Sequence, residues 1–531
     1  MTKHVLIVGA GVAGLSCALE LCALGGTQIT LVSKDALGQA NTLMAQSGVA
    51  GAWHPDDSVA LHRDDTLASG NGIGVTESAQ FVADNAVAAI AQLEKWGVTW
   101  DYTTPADDSV GERELSQLEP RQTGGHSFPR SAHAGGDRTG RLIAFSLRDR
   151  VQEAAAQGLI TVREKEMVRD LLVEDGRVVG VELLGKRDAD GNYTPGEQLR
   201  ADAVVFATGG AGGMFAVTTN LRGAVGGSVA LAYRAGAVIR DPEFFQFHPT
   251  SLDAPGFPLI GEAVRGRGAH IIDANGERFL HLSDERGELA SRDIVARAIY
   301  RRRQETGGQV FLDARPIGTP EELSAMFPGM SRQIATKRLT WDDPIPITPA
   351  AHYWMGGIAS TVEGRTSLPG LFAVGEAGCN GVHGANRLAT NSLLEGCVTG
   401  RTCAALLARE DDPAPRDLAD LELHRAEVPV PSATPGEEPA SLAALQTLMW
   451  EKAGVVRDPA ELAAAREQVL AWLSALPAEA QTRQELELRD ALTSASLLLG
   501  AALMRKETRG AHTRADFPQT DEVAVSRGFH R

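Results

Sequence analysis

The sequence predicts an α/β protein: a Rossmann-like domain, an α+β domain inserted over it, and a C-terminal helical domain. Three observations predict this. A glycine-rich turn follows the first apolar run, Val5-Leu6-Ile7-Val8. Strand-like runs of the same style return after a long middle block, at Leu371-Phe372-Ala373-Val374-Gly375-Glu376. A segment rich in Pro, Glu and Asp, Pro413 to Pro439, then precedes three amphipathic helix patterns.

Bulk properties set limits on function. At 531 residues the chain can build two or three cores. With 43% hydrophobic and 22% charged residues it reads as an ordinary globular protein. A net charge of -17 argues against a nucleic-acid partner, which needs a basic footprint. It leaves room for an anionic substrate held by local arginines. The five cysteines (Cys17, Cys22, Cys379, Cys397 and Cys403) form no Cys-x-x-Cys pair and are too sparse for a zinc or iron–sulfur site. An odd number in a large chain suits a reducing compartment, so a cytoplasmic location is expected. The first strand follows the N-terminus directly, without a leader pattern, and no apolar run reaches membrane-spanning length. No membrane contact is expected.

Taken in order, Val5–Val8 reads as a buried strand, Leu15–Leu24 as a helix and Ile29–Val32 as a second strand, a βαβ unit with a tight first turn. Helical patterns surround Thr66 and run from Phe81 to Trp96. Gly124–Gly140 is a loop rich in Gly, His, Ser and Arg. Val168–Leu184 alternates like an antiparallel hairpin that turns at Glu174-Asp175-Gly176. Val204–Phe206 is another buried strand, ending in Ala207-Thr208-Gly209-Gly210. The late helices are Leu442–Lys452, Pro459–Leu476 and Thr482–Lys506, the last ended by Gly510. These patterns predict a discontinuous first domain (1–234 and 351–410), an inserted domain (235–350), a linker (411–440) and a helical domain (441–531).

Gly9-x-Gly11-x-x-Gly14 lies between a strand and a helix. In that context Gly9 makes the turn, Gly11 admits a pyrophosphate, and Gly14 lets helix and strand pack. With Ala10, Val12 and Ala13 the loop forms a dinucleotide site at a helix N-terminus. The usual acidic residue for the ribose is missing from the second strand, which ends Val32-Ser33-Lys34-Asp35. Ser33 can bond a ribose hydroxyl instead, and Asp35 is the lesser candidate. One glycine turn could serve a nicotinamide dinucleotide. Together with the strand ends at Ala207, Thr208 and Gly209 and at Gly375-Glu376, it favours FAD, with Glu376 on a ribityl or ribose hydroxyl.

A lone arginine, Arg387, lies within Gly381–Gly396 among small, polar and apolar neighbours. Its guanidinium suits bidentate recognition of a planar carboxylate. His248 stands in Phe244-Phe245-Gln246-Phe247-His248-Pro249-Thr250, a context equally suited to a core histidine. His352 precedes Tyr353-Trp354-Met355-Gly356-Gly357, where paired glycines suggest backbone close to a ligand. Arg265 lies in Glu262-Ala263-Val264-Arg265-Gly266 and Arg292 in Ser291-Arg292-Asp293; most arginines are solvated or paired with acids, and Asp293 could pair with Arg292.

In this order the motifs resemble the succinate dehydrogenase/fumarate reductase flavoprotein family, on its L-aspartate oxidase branch. The likeness is carried by Gly9–Gly14, Asn41–Gly48, Gly124–Ser127, Phe247–Thr250, Ser291–Val295, His352-Tyr353, the Arg387 segment and Arg505–His512. It implies FAD-dependent oxidation of L-aspartate to iminosuccinate, the Cα hydride passing to flavin, with reoxidation by oxygen or fumarate. Arg387, His248 and His352 would hold the substrate carboxylates, and Arg292 matches the family's proton donor/acceptor. Further substrate contacts are implied at Thr123, Glu262 and Arg265. Cofactor contacts are implied at Lys34, Asn41, Thr42, Ala45, Gln46, Gly48, Asn391, Ser392 and Leu393. Because the family's covalent-attachment histidine is Asn41 here, FAD should be bound non-covalently. The product would pass to quinolinate synthase in NAD biosynthesis, with a transient contact between the two enzymes. The chain departs from the pattern at Thr123 (a glutamate facing the substrate amine in the oxidases), at Gly261 (Thr or Ser), at Gly227 (an aspartate near the flavin) and at Ser47 (Gly). The loss at Thr123 keeps open the alternative of a soluble fumarate reductase.

Overall fold

The computed structural model describes residues 2–103, 114–187, 193–411, 413–432 and 440–531. Its centre is a five-stranded parallel sheet in the order Leu371–Ala373, Ala203–Phe206, Lys3–Val8, Thr27–Ser33, Thr161–Glu164. The strands read as continuous apolar runs because both faces are covered. Leu6, Val8, Val204 and Phe206 enter one core, shared with the C-terminal helices. The intervening Val5, Ile7, Ala203 and Val205 enter another, under helices Val12–Leu24 and Asn391–Arg409. The strand period of two thus sorts one run of residues between two cores.

The expected hairpin is present as Val168–Glu174 paired with Arg177–Leu183. Asp175 and Gly176 both take positive φ at its turn, 49° and 75°, the backbone a two-residue hairpin turn demands.

The inserted segment has its own core behind a four-stranded antiparallel sheet in the order Phe245–Leu252, Ile345–Trp354, Val310–Asp313, His270–Asp273. Helix Arg292–Thr306 packs on it. Between Phe245–Leu252 and Ile345–Trp354 the register slips. Gln246 faces Tyr353 and Phe247 faces Ala351, so His352 has no partner opposite. Such a bulge re-aims a side chain.

Two expectations differ from the fold. The segment read as a linker contains a strand, Glu422–Arg425, paired in parallel with Arg527–His530 at the chain's end. Within Glu422–Arg425 only Leu423 is apolar, so the pairing, made with residues about a hundred positions away, left no local signal. Its last part, residues 433–439, lies outside the described residues. The long C-terminal helix ends at Met504, short of Gly510. Arg505 leaves the helix to bond Glu243 at 2.5 Å, Glu507 at 2.9 Å and Asp241 at 3.3 Å, all buried. The Arg505–His512 signature is thereby a polar knot tying the end of helix Arg483–Met504 to Asp241 and Glu243. At the other end of this helix Thr482 and Glu485 close a capping box.

Candidate functional site

A large cleft runs from the end of strand Lys3–Val8 to the junction of the first and inserted domains. It encloses about 1880 Å³ of empty space, open solvent included. The glycine turn forms its floor. Gly9 has φ +117°, and a Cβ there would stand 2.3 Å from the Ala207 carbonyl oxygen. A Cβ on Gly14 would meet the Gly9 oxygen at 2.0 Å, so helix and turn touch backbone to backbone. At Gly11 nothing lies closer than Thr42 Oγ1 at 3.4 Å, and this glycine lines the cleft.

Two helices start at this cleft without a side-chain cap or an acid in the first turn: Val12–Leu24 after Gly11, and Asn391–Arg409 after Thr390. The Val12 N–H donates to Thr42 Oγ1 at 3.0 Å; the remaining first-turn N–H groups favour an electron-rich ligand. A wide cleft with a glycine floor and two uncapped helix starts fits a flavin dinucleotide.

The expected cofactor residues fall into three groups. Ala10, Val12, Ala13, Asn41, Thr42, Ala45, Gln46, Gly48, Ala207, Thr208, Gly209, Glu376, Ser392 and Leu393 all line the cleft. Lys34 lines it too, although its ammonium is bound by the Gly223 carbonyl and lies 3.4 Å from Glu487. Ser33 and Asn391 do not line it. Ser33 is buried beneath Lys34 and Asp35, and Asp35 is paired with Arg483 at 2.9 Å. Asn391 turns its side chain away, taking up His62 at 2.9 Å and Thr66 at 2.9 Å. Asn41 accepts from the Leu221 N–H at 2.9 Å and donates to Asn220 at 3.1 Å. Glu376 accepts from the Trp354 N–H at 2.9 Å. Burial, with Glu395 nearby, pushes its carboxyl up to about 7. The loop Glu166-Met167-Val168 also lines the cleft, with no motif to announce it.

At the far end, side chains distant in sequence converge. Arg387, Arg292 and His352 line the cleft, and His248 lies behind His352, ring centroids 5.0 Å apart. His352 Nδ1 is 2.7 Å from Thr219 Oγ1, and the Thr250 N–H reaches His248 Nδ1 at 3.3 Å. Burial and the neighbouring guanidiniums hold both imidazoles well below their ordinary range, so both are neutral at pH 7. Arg387 stacks over the Tyr353 ring at 4.6 Å and donates to Ser392 Oγ. Burial, then Arg292, lowers it to about 9. No carboxylate of the described residues lies within ion-pair distance of it.

Arg292 differs. Its Nε donates to Glu262 at 2.8 Å and its Nη1 to Gln246 at 3.1 Å. The second oxygen of Glu262 accepts from Arg265 at 2.8 Å, and Arg265 also donates to the Glu288 carbonyl at 2.6 Å. Burial alone would raise the Glu262 carboxyl, but Arg292 and Arg265 hold it below its usual range. Glu262 and Arg265 are thus committed to each other and to Arg292, away from the cleft wall. Thr123 is wholly buried beside them, its hydroxyl without a hydrogen-bond partner among the described residues. Gly261 faces Gln46, whose Oε1 would stand 3.0 Å from a Cβ there.

Gln246 is a residue the motifs did not single out. It takes Arg292 on its oxygen and donates to Asn386 and the Arg387 carbonyl, both at 2.8 Å, joining the two arginine segments. Its position two before His248 on one strand was the available signal.

Comparison with known proteins agrees with this geometry. The FAD binding domain family matches residues 4–393, and the family described as fumarate reductase flavoprotein C-term matches residues 442–527. An L-aspartate oxidase of Streptomyces coelicolor is 39% identical, over 99% of this chain and 91% of that protein. One of Bacillus subtilis is 34% identical, over 98% and 92%. Among solved structures, the FrdA chain of E. coli quinol fumarate reductase superposes with a TM-score of 0.84 at 28% identity, covering 98% of this chain and 93% of that one. With a dinucleotide cleft along one domain and a cluster of buried cations at its end, the chain belongs to the L-aspartate oxidase family of FAD flavoproteins.

Proposed function

We propose that this protein oxidises L-aspartate to iminosuccinate in the first step of NAD biosynthesis. The observation that carries the substrate class is Arg387: a buried guanidinium lining the cleft, without an ion pair, beside a second buried guanidinium. A buried cation that lacks a counter-charge is costly, and a dicarboxylate supplies that charge. FAD, when bound in the cleft, supplies the acceptor for the substrate Cα hydride.

The chain's own residues do the rest. Arg387 takes one carboxylate through a face left free by Tyr353 and Ser392. His352, fixed through Nδ1 by Thr219, has its other ring nitrogen for a carboxylate oxygen. His248 backs it and excludes water. Fixing both carboxylates orients Cα–H, where positioning contributes to rate. Arg292 is held through Nε by Glu262, and a guanidinium can donate a proton far more readily than abstract one. That suits it as the acid in the reverse, fumarate-reducing direction. Glu262 and Arg265 act behind it, setting its position. Thr123 carries no charge and does not line the cleft, so it gives the substrate ammonium no ionic partner.

FAD is held non-covalently: the Asn41 amide is occupied by Asn220 and Leu221 and offers no nucleophile. Acid precipitation should therefore release all the flavin into the supernatant. Oxygen or fumarate reoxidises the flavin. The imine hydrolyses in water, so a transient contact with quinolinate synthase would shorten its exposure. A cytoplasmic location follows from the same reading, and five free cysteines suit that compartment. No helix among the described residues is long and apolar enough to cross a membrane.

The deciding experiment is anaerobic. L-aspartate should bleach the visible flavin band, while succinate and D-aspartate should not. The second reading, fumarate reduction, rests on Thr123. It would be favoured if L-aspartate failed to bleach while fumarate reoxidised chemically reduced flavin.

A further inference from the structure

The long C-terminal helix Arg483–Met504 presents one face to the FAD cleft and its rim. Arg483 bonds Asp35 at 2.9 Å, Glu487 lies 3.4 Å from Lys34, and Ser494 donates to the Gly226 carbonyl at 2.9 Å. The spacing 483, 487, 490, 494 is that of one helical stripe. Asp490 is therefore aimed where its neighbours already touch the cofactor domain, and it lines the cleft itself.

Its two carboxylate oxygens have different fates. Oδ1 accepts from Arg234 at 2.8 Å, and Arg489 Nε stands 3.8 Å away. Oδ2 is buried and has no hydrogen-bond partner among the described residues. What faces it is Gly227. A Cβ on that glycine would stand 3.4 Å from Oδ2, with no other atom within 4 Å. The glycine leaves open a space that a carboxylate oxygen looks into. A buried, unpaired anionic oxygen is costly unless something fills that space with a donor. Burial raises the Asp490 carboxyl above its usual range, while Arg234 and Arg489 oppose this; as the anion it can only accept, so the group that completes it is a hydroxyl or N–H. At the end of the second strand the nearby acid, Asp35, is already neutralised by Arg483.

We infer that Asp490 is a cofactor-binding residue: its Oδ2 accepts a hydrogen bond from a sugar hydroxyl of FAD in the space left by Gly227. The helical domain is then one wall of the FAD site as well as a cap on the core. This rests on FAD being the cofactor, and its test can fail separately. Apo-protein is titrated with FAD by quenching of flavin fluorescence, and melting is followed with and without FAD. Asp490→Ala should weaken FAD binding about tenfold to a hundredfold and shrink the rise in Tm that FAD produces. Asp490→Asn keeps the volume should the alanine variant fail to fold, and should show a smaller loss. Gly227→Asp alone should also weaken binding, since two carboxylates would share the space. In the Asp490→Ala background it should restore binding by supplying the carboxylate from the opposite side. Unchanged affinity and an unchanged FAD-induced Tm shift in a folded Asp490→Ala variant would overturn the inference. A fall in apo-protein Tm with FAD affinity unaltered would do the same, assigning Asp490 to Arg234 alone. Failure of the wild-type protein to bind FAD would instead overturn the flavoenzyme reading.

Discussion

Replacing Arg387 by leucine should move stability and ligand affinity in opposite directions. In the free protein this guanidinium is buried, has one hydroxyl partner and one aromatic face, and has no carboxylate within ion-pair distance among the described residues. Burial lowers it to about 9, which means the fold disfavours its charge. Leucine fills much of the same volume without that penalty, and replacing buried charge by an apolar residue is often neutral or stabilising by about 1–4 kcal/mol. The lost contact to Tyr353, about 0.5–2 kcal/mol, offsets part of the gain. The net expectation is an unchanged or higher Tm. Dicarboxylate binding should suffer instead. Truncating one partner of a desolvated charge pair costs about 2–5 kcal/mol, or roughly 30- to 5,000-fold in Kd. Fumarate or succinate titrated into the holoprotein, followed by perturbation of the flavin spectrum, reads the affinity; thermal melts of the same preparations read stability. A leucine variant that melts several degrees lower yet binds dicarboxylates normally would refute the reasoning, because Arg387 would then be structural and its charge satisfied elsewhere.

Glu262→Gln should leave Arg265 and Arg292 buried without their shared carboxylate and cost about 3–5 kcal/mol, seen as a large drop in Tm with slowed fumarate reduction. Gly14→Ala places a methyl group 2.0 Å from the Gly9 oxygen; the turn must open, costing about 1–3 kcal/mol, and the purified protein should be colourless or bind FAD weakly in a titration. Glu376 gives a pH signature. Its folded pKa, about 7, lies above the unfolded value, so the native state holds the proton more tightly. Stability should therefore fall as pH rises from about 4.5 to 7. Apo-protein melts across that range should show Glu376→Gln gaining on wild type by about 2–3 kcal/mol at the upper end; parallel curves would mean that Glu376 titrates normally.

Much of this molecule was legible locally. The first strand, the glycine turn and its helix follow from steric rules within fourteen residues: Gly9 needs its positive φ, and Gly14 must touch backbone. The parallel strands were visible because burial on both faces leaves uninterrupted apolar runs, and the hairpin at Asp175-Gly176 because its turn needs two positive φ angles. The resemblance in motifs placed Arg387, Arg292, His248 and His352 together before any geometry did.

What the sequence could not set out was decided by partners far along the chain. Whether Arg292 is free or paired depends on Glu262, thirty residues earlier, and on Gln246. Asn391 belongs to His62 and Thr66 because helix Asn391–Arg409 packs where only folding can bring them. The strand Glu422–Arg425 exists because the chain's last residues lie beside it, and the last helix stops at Met504 because Asp241 and Glu243 draw Arg505 away. Asp490 faces Gly227 across two domains. Propensity and periodicity act over a few residues, so they specify elements. The charge a buried side chain meets, and thus what it can do, is set by contacts hundreds of residues apart in sequence, which tertiary structure alone brings within a few ångströms.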